Sequence, residues 1–249
     1  MSITTRTLSG LKALLRGVGL EVSRVHSPGL RLERLEWLRA HDIRTVLDVG
    51  ANSGQFAALV RHALPDAFIY SFEPIAAVYA ELVENMRGDT RFEALPFALG
   101  SDERQLPINR NEFTPSSSLL PMDDLHRKMF PFAVATTTET VNVRRLDDVR
   151  TQLRLEPGLM IKVDVQGYEE HVIRGGKATF AQADVVLIEV GIEPLYAGQW
   201  LFAEVHEALR ELGFSFKGIS GQLLRPDNGA PLQADVIFAR RTARGSDRH

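Results

Sequence analysis

The 249-residue chain contains no cysteine, which removes disulfide frameworks, thiolate nucleophiles, zinc ribbons and iron–sulfur ligation together. It has no run of eighteen apolar residues, and its N-terminus lacks the continuous apolar core of a secretory signal. Neither a membrane span nor export is therefore expected, and the expected location is cytoplasmic. An excess of one charge sign is missing too: 29 Lys and Arg face 32 Asp and Glu, a net charge of -3. A protein held to nucleic acid mainly through phosphates needs a basic balance, so no nucleic-acid partner is expected. What is present, 44% hydrophobic and 24% charged residues with a mean hydropathy of -0.10, suits one globular domain with a sizeable core.

Charge is unevenly placed. Residues 1–40 carry Arg6, Lys12, Arg16, Arg24, Arg31, Arg34 and Arg39 against Glu21, Glu33 and Glu36, a balance of +4. The last ten residues carry four arginines against Asp247, a balance of +3, which leaves -10 for the middle. Basic ends on an acidic body suit peripheral association with an anionic membrane, although solvated helix and tail charge explains them as well.

Leu8, Leu11, Leu14, Leu15 and Val18, then Leu32, Leu35 and Leu38, recur at helical spacing and predict an N-terminal helical extension over 1–40. From there apolar runs and helical patterns alternate. Thr45–Val49, Phe68–Phe72, Glu93–Leu99, Leu159–Val163 and Val185–Glu189 read as strands, with helices at Gln55–Leu64 and Ile75–Met86. Such alternation predicts an α/β fold with a doubly wound, mostly parallel sheet covered on both faces. At the C-terminus, Phe214–Ile219 and Ala234–Ala239 flank Arg225-Pro226-Asp227-Asn228-Gly229 with no helix between them. That pattern makes an antiparallel pair and gives a seven-stranded sheet with a reversed last strand. The expected domain spans 41–240, with a basic tail at 241–249. An insertion over about 101–158 carries Pro107, Pro115, Pro121 and Pro131 around the polar run Thr114–Ser118. Insertions of this kind often close over ligands, which makes 110–135 a candidate lid. Within the insertion, Glu139–Arg144 alternates like a short strand and Leu146–Leu153 suits a short helix.

The first strand runs into Asp48-Val49-Gly50-Ala51-Asn52-Ser53-Gly54 and a helix. Glycines allow a sharp turn and close approach of a ligand to backbone beside the helix N-terminus. Glu73 ends the second strand nineteen residues beyond Gly54, where a carboxylate can accept both hydrogen bonds of a ribose diol. The dinucleotide pattern Gly-x-Gly-x-x-Gly, started at Gly50, fails at Asn52 and Gln55. A nicotinamide-dependent dehydrogenase is thereby disfavoured, and a non-catalytic nucleoside-binding module stays open.

Asp48-x-Gly50-x-x-x-Gly54 with the acid Glu73 resembles the S-adenosyl-L-methionine loop of class I methyltransferases. Further stretches sharpen the likeness: Val46 to Phe56, Ser71-Phe72-Glu73-Pro74, Ala98-Leu99-Gly100, Ser116 to Leu120, Val143 to Asp147, Ile161-Lys162-Val163-Asp164-Val165-Gln166-Gly167-Tyr168-Glu169, and Pro194-Leu195-Tyr196. In this order they resemble FkbM-type methyltransferases over roughly residues 40–240. The resemblance implies a Rossmann-like fold, S-adenosyl-L-methionine as cofactor, and O-methylation of a hydroxyl on a sugar of a glycan, glycolipid or glycosylated natural product. It also implies a donor site formed by Asp48, Gly50, Asn52, Gly54, Glu73, Ala98, Leu99 and Asp164.

Methyl transfer to an alcohol requires in-line alignment and removal of the hydroxyl proton. Asp164, at a strand's carboxyl end, is the first candidate base; its structural alternative is capping the next helix. Glu189 ends the fifth strand and His171 lies on the helix after Asp164, so both are further candidates. Lys162 reads either as a cation reaching the cleft or as a partner of Asp48 or Glu73. Asp164, Glu189 and Glu193 are oxygen ligands that suit a divalent cation, but their spacing does not demand one and no metal is assigned. The Ser116–Ser118 run is either a ligand-side loop or a solvated turn. Acceptor identity and homo-oligomerisation are open at this level.

Overall fold

Short apolar runs bounded by turn residues become strands, and the amphipathic segments between them become the covering helices. The computed structural model describes Leu35, Leu38 and residues 41–111, 117–130 and 136–240. In chain order the elements are β1 (Thr45–Val49), α1 (Gln55–Ala63), β2 (Phe68–Phe72), α2 (Ala76–Asn85), β3 (Phe92–Leu95), β4 (Ala98–Leu99) and β5 (Arg104–Asn111). There follow α3 (Asp124–Met129), β6 (Thr136–Arg144), α4 (Leu146–Val149) with a 3-10 turn at Arg150–Gln152, β7 (Leu159–Val163), α5 (Glu169–Gly175) and α6 (Lys177–Phe180). The chain ends in β8 (Val185–Gly191), α7 (Phe202–Glu211), β9 (Phe214–Leu224) and β10 (Pro231–Arg240).

Seven strands form one sheet in the order β3-β2-β1-β7-β8-β10-β9. Pairings from β3 to β8 are parallel, and β10 is antiparallel to both β8 and β9. Strand β10 is thus inserted, reversed, between β8 and the edge strand β9. The sheet's two faces can be read from alternate residues. Val46, Met160, Val185 and Leu187 pack with Phe56, Ala57 and Val60 of α1. Leu47, Val49, Ile161, Val163, Val186 and Ile188 pack with Val172 and Ile173 of α5 and with Val205 and Leu209 of α7. Asp48, Lys162 and Glu189 share the parity of Val46, Met160 and Leu187, and so stand on the α1 face.

Two expectations need correction. The third strand does not run unbroken over Glu93–Leu99: Phe92–Leu95 stays in the main sheet, while Ala98–Leu99 pairs with β6 in a second sheet of order β4-β6-β5. Pro96 lies between the two pieces and supplies no backbone N–H for a continuous ladder. Much of the 101–158 insertion is built into this second sheet, whose β5 and β6 pair over eight residues; the strand expected at Glu139–Arg144 lies within β6, and the helix expected over Leu146–Leu153 is α4 with its 3-10 turn. The core also reaches past residue 40, because Leu35 and Leu38 are buried against Ile43 and Val46. Otherwise the helices expected over 1–40 and the tail 241–249 lie outside the described residues, as do 112–116 and 131–135 of the candidate lid.

Candidate active site

The carboxyl ends of β1, β2, β7 and β8 converge where β1 turns into α1. Gly50, Asn52 and Gly54 all have positive φ, at 78°, 50° and 91°, so the loop coils tightly. At Gly50 the reason for glycine is close packing: a Cβ there would stand 1.8 Å from the Asp164 carbonyl oxygen. Asn52 tolerates its left-handed conformation because its Oδ1 accepts from the Ser53 N–H at 2.7 Å. Glu73 fixes this loop to β2: one carboxylate oxygen accepts from the Asn52 N–H at 3.0 Å and the other from the Ile75 N–H at 2.9 Å.

Burial pushes the Glu73 carboxyl up to about 7, against the lowering effect of its two backbone donors. Each oxygen keeps a further lone pair, so the group can still take the two hydroxyls of a ribose. The residues therefore fit a nucleoside donor: a coiled loop at a helix N-terminus, with a buried carboxylate beside it.

Three members of the expected donor set have their side chains buried away from the cleft. Asp48 is fully buried; it accepts from the Ser71 hydroxyl at 3.1 Å and lies 3.4 Å from the Lys162 ammonium, so its side chain braces the strands instead of meeting a ligand. Leu99 is buried in the main core and Ala98 is also buried, which leaves only their backbone to face a donor.

Lys162 resolves as a buried bridge. Its Nζ donates to the Gly50 carbonyl at 3.2 Å, lies 3.4 Å from Asp48 Oδ1 and 3.5 Å from Asp164 Oδ2, and stands 5.5 Å from the Phe56 ring centre. Burial alone would push its pKa down, but Asp164 and Asp48 raise it, so the cation is held. It ties the β1 loop to the end of β7.

Asp164 does not cap a helix. Its Oδ1 accepts from the Gln166 side-chain amide at 2.8 Å, while Glu169 holds the Val165 and Gly167 N–H groups with one carboxylate oxygen, at 3.2 and 3.1 Å. The same Gln166 amide nitrogen reaches Glu189 at 2.6 Å, and Gln233 donates to that Glu189 oxygen at 3.0 Å. Asp164 and Glu189 are thus brought together as expected. Burial pushes the Glu189 carboxyl well up, and Asp164, Asp235 and Glu169 add to the effect, so Glu189 favours its protonated form. A shared N–H donor between two carboxylates is the wrong sign for a cation site, and Glu193 is exposed outside the cluster.

His171 is not brought to this cluster. Its ring stacks on Tyr168 at 4.1 Å and its Nδ1 is 3.2 Å from the Ser101 hydroxyl. The helical rise after Tyr168 turns it toward the start of the insertion. Of the serine run, Ser118 is buried rather than solvated: it donates to the Gln166 carbonyl at 2.6 Å.

Sequence reasoning missed Gln166, Gln233, Glu169 and the role of Tyr196, whose hydroxyl donates to Gln166 Oε1 at 2.8 Å. Each is distant in sequence from its partners or sat unassigned inside a recognised motif. A separate groove of about 490 Å³, lined by Phe97, Arg104, Asn142 and Arg144 among others, shares no residue with this cluster.

A doubly wound sheet with this strand order and reversed penultimate strand, carrying a coiled β1–α1 loop and an acid after β2, defines a class I methyltransferase dependent on S-adenosyl-L-methionine. Residues 48–216 match the model of the methyltransferase FkbM domain, and the chain belongs to that family. It is 30% identical over 193 residues to the 2-O-methyltransferase NoeI of Sinorhizobium fredii, covering 72% of this chain and 77% of that protein. It is 29% identical to the methyltransferase sdnD of Sordaria araneosa, over 52% of this chain and 59% of the relative. Among solved structures, Aeropyrum pernix fibrillarin with bound S-adenosyl-L-methionine aligns over 93% of this chain and 74% of its own, with a TM-score of 0.43 and 13% identity. No helix among the described residues is long and apolar enough to cross a membrane.

Proposed function

We propose that this methyltransferase methylates a hydroxyl group of a carbohydrate, in a glycan, glycolipid or glycosylated small molecule, in the cytoplasm. The observation that carries the reading is the pair Asp164 and Glu189, joined through one amide at the strand ends and flanked by Gln166 and Gln233. Carboxylates and carboxamides supply the acceptor and donor pattern that a polyol needs. The 2-O-methyltransferase NoeI, as the relative's name states, acts at oxygen, in keeping with this reading.

When bound, S-adenosyl-L-methionine supplies the electrophilic methyl group. Glu73 takes the ribose diol, and the coiled loop over Gly50–Gly54 lies against the donor. Asp164, whose side chain remains 27% exposed, orients the acceptor hydroxyl and takes its proton as oxygen becomes an ether. Lys162 neutralises the buried Asp48 and anchors the backbone beside Asp164. Glu189, favouring its protonated form, offers a hydrogen bond to a second oxygen of the acceptor.

Labelled donor with a panel of saccharides and glycolipids tests the class of acceptor; methylation confined to amines or to nucleic acid would overturn it. Asp164→Asn should bind S-adenosylhomocysteine nearly normally and lose about 10²–10⁴-fold in turnover, the usual contribution of a positioned base. Near wild-type turnover in a folded variant would remove Asp164 from the chemistry.

A further inference from the structure

Gln166 has four polar attachments in two directions. Toward the cleft, its Nε2 serves both Asp164 Oδ1 and Glu189 Oε2, at 2.8 and 2.6 Å. Away from it, Oε1 accepts from the Tyr196 hydroxyl at 2.8 Å and the backbone carbonyl accepts from the Ser118 hydroxyl at 2.6 Å. The residue adopts φ +54°, a left-handed conformation unfavourable for a glutamine, which persists only where its surroundings fix it. Gly167 follows with φ +95°, and a Cβ there would come within 2.8 Å of Tyr196 Cβ, so only glycine admits the tyrosine.

The two attachments away from the cleft belong to one docked unit. Residues 117–130 lie against the Pro194–Ala197 loop: Met122 and Tyr196 form an antiparallel bridge, Asp123 N–H donates to the Leu195 carbonyl at 2.9 Å, and Ala197 N–H donates to the Pro121 carbonyl at 2.9 Å. Met122, Met129, Leu195, Tyr196 and Leu232 bury one apolar cluster between them. The Asp164 oxygen fixes which way the Gln166 amide faces, and Tyr196's hydroxyl, able to donate or accept, completes the arrangement by donating to Oε1. With its oxygen accepting from the phenol, the NH2 faces Asp164 Oδ1 and Glu189 Oε2; flipped, a carbonyl oxygen would oppose the Asp164 oxygen.

We propose that Gln166 is a positioning residue that makes the geometry of Asp164 and Glu189 depend on docking of the 117–130 segment. This rests on the reading of Asp164 as the acceptor-orienting group. The charged and titratable groups around the carboxamide are Lys162 from β7 and Asp164 just after it, Glu189 from β8, Asp235 from β10, Glu169 from α5, and Tyr196, on whose ring His126 of α3 packs at 5.3 Å.

The test compares Gln166→Met, Tyr196→Phe, Ser118→Ala and the double variant Gln166→Met/Tyr196→Phe. Gln166→Met should lower kcat about 10- to 100-fold, the equivalent of one charge-assisted hydrogen bond, with S-adenosylhomocysteine affinity unchanged. Losing a hydrogen bond to the charged form of a carboxyl disfavours that form, so the acid limb of the kcat–pH profile should move to higher pH. Tyr196→Phe keeps the ring and should produce the same shift more weakly, while adding nothing in the Gln166→Met background.

Wild-type kcat and pH profile in both Gln166→Met and Tyr196→Phe, or fully additive effects in the double, would overturn the proposal. Should Gln166→Met fail to fold, Tyr196→Phe and Ser118→Ala decide alone by the same two readouts. If Asp164→Asn retains turnover, the underlying reading fails instead. If that variant is inactive while Tyr196→Phe and Gln166→Met behave as wild type, only the coupling fails.

Discussion

Donor binding should be strongly pH dependent, because the group assigned to the ribose is a buried acid that titrates near neutrality. Glu73 is only 6% exposed, and burial lifts its carboxyl to about 7. A diol donating two hydrogen bonds favours the ionised form, as do the Asn52 and Ile75 amides already bonded to it. Affinity should therefore rise with pH and level off above about 7. If the protonated form does not bind, the dissociation constant for S-adenosylhomocysteine at pH 5.5 should exceed that at pH 8 by about 30-fold, or about 2 kcal/mol. Below pH 7, binding should also release close to one proton. Calorimetry in buffers of different ionisation enthalpy measures both quantities. Glu73→Gln cannot simply replace the acid, since both oxygens face N–H donors and the new NH2 must oppose one of them; it should bind weakly and without pH dependence. Flat affinity between pH 5.5 and 8 with no proton release in the wild type would refute the assignment of Glu73.

Glu169 is buried and its carboxyl is raised to about 7, so the folded state binds the extra proton. Its contribution to stability is present below about 4.5 and is lost as pH rises from there to about 7, by up to about 3 kcal/mol. Glu169→Gln can keep one oxygen for the Val165 and Gly167 amides, and should be the more stable protein at pH 8 with a flatter profile in urea unfolding at pH 5 and 8. Lys162→Met should destabilise by about 3–5 kcal/mol, because it leaves the fully buried Asp48 without its cation. Adding Asp48→Asn should recover much of that loss in the same unfolding assay, and strictly additive losses would contradict the bridge.

The fold was readable where one physical pattern dominates. Leu159–Val163 is buried at every position and ends where its apolar run ends, and the turn Arg225–Gly229 lies between two strands with no helix to make a crossover. It was unreadable where pairing partners are chosen at a distance. Pro96 marks the break before Ala98-Leu99, but nothing local says that these residues pair next with Val143 and Arg144. Likewise Leu106 and Ile108 do not announce β5 across from β6, because an alternating pattern is weak beside four prolines.

For the site, the same distinction separates residues held by their own loop from residues held by distant side chains. Gly50, Asn52 and Glu73 could be read as one arrangement because a tight turn and an acid after the next strand are local requirements, and the fold brings the two together at Asn52 N–H. Asp48 stands in the donor set that the resemblance implies, yet its side chain is sealed against Ser71 and Lys162. Period-two alternation does place Asp48 on a common face with Lys162, but only the register Asp48↔Lys162 makes them neighbours. Gln166 had no signal of its own: a neutral amide in a loop becomes informative only when its partners at positions 118, 189 and 196 are known. A sequence motif therefore points to where the chemistry can be, while the division of labour among its polar residues is decided by long-range hydrogen bonds. That is why Asp48 and Asp164, both acids beside the same lysine, have different surroundings: one is sealed beneath the strands, and the other opens to the cleft.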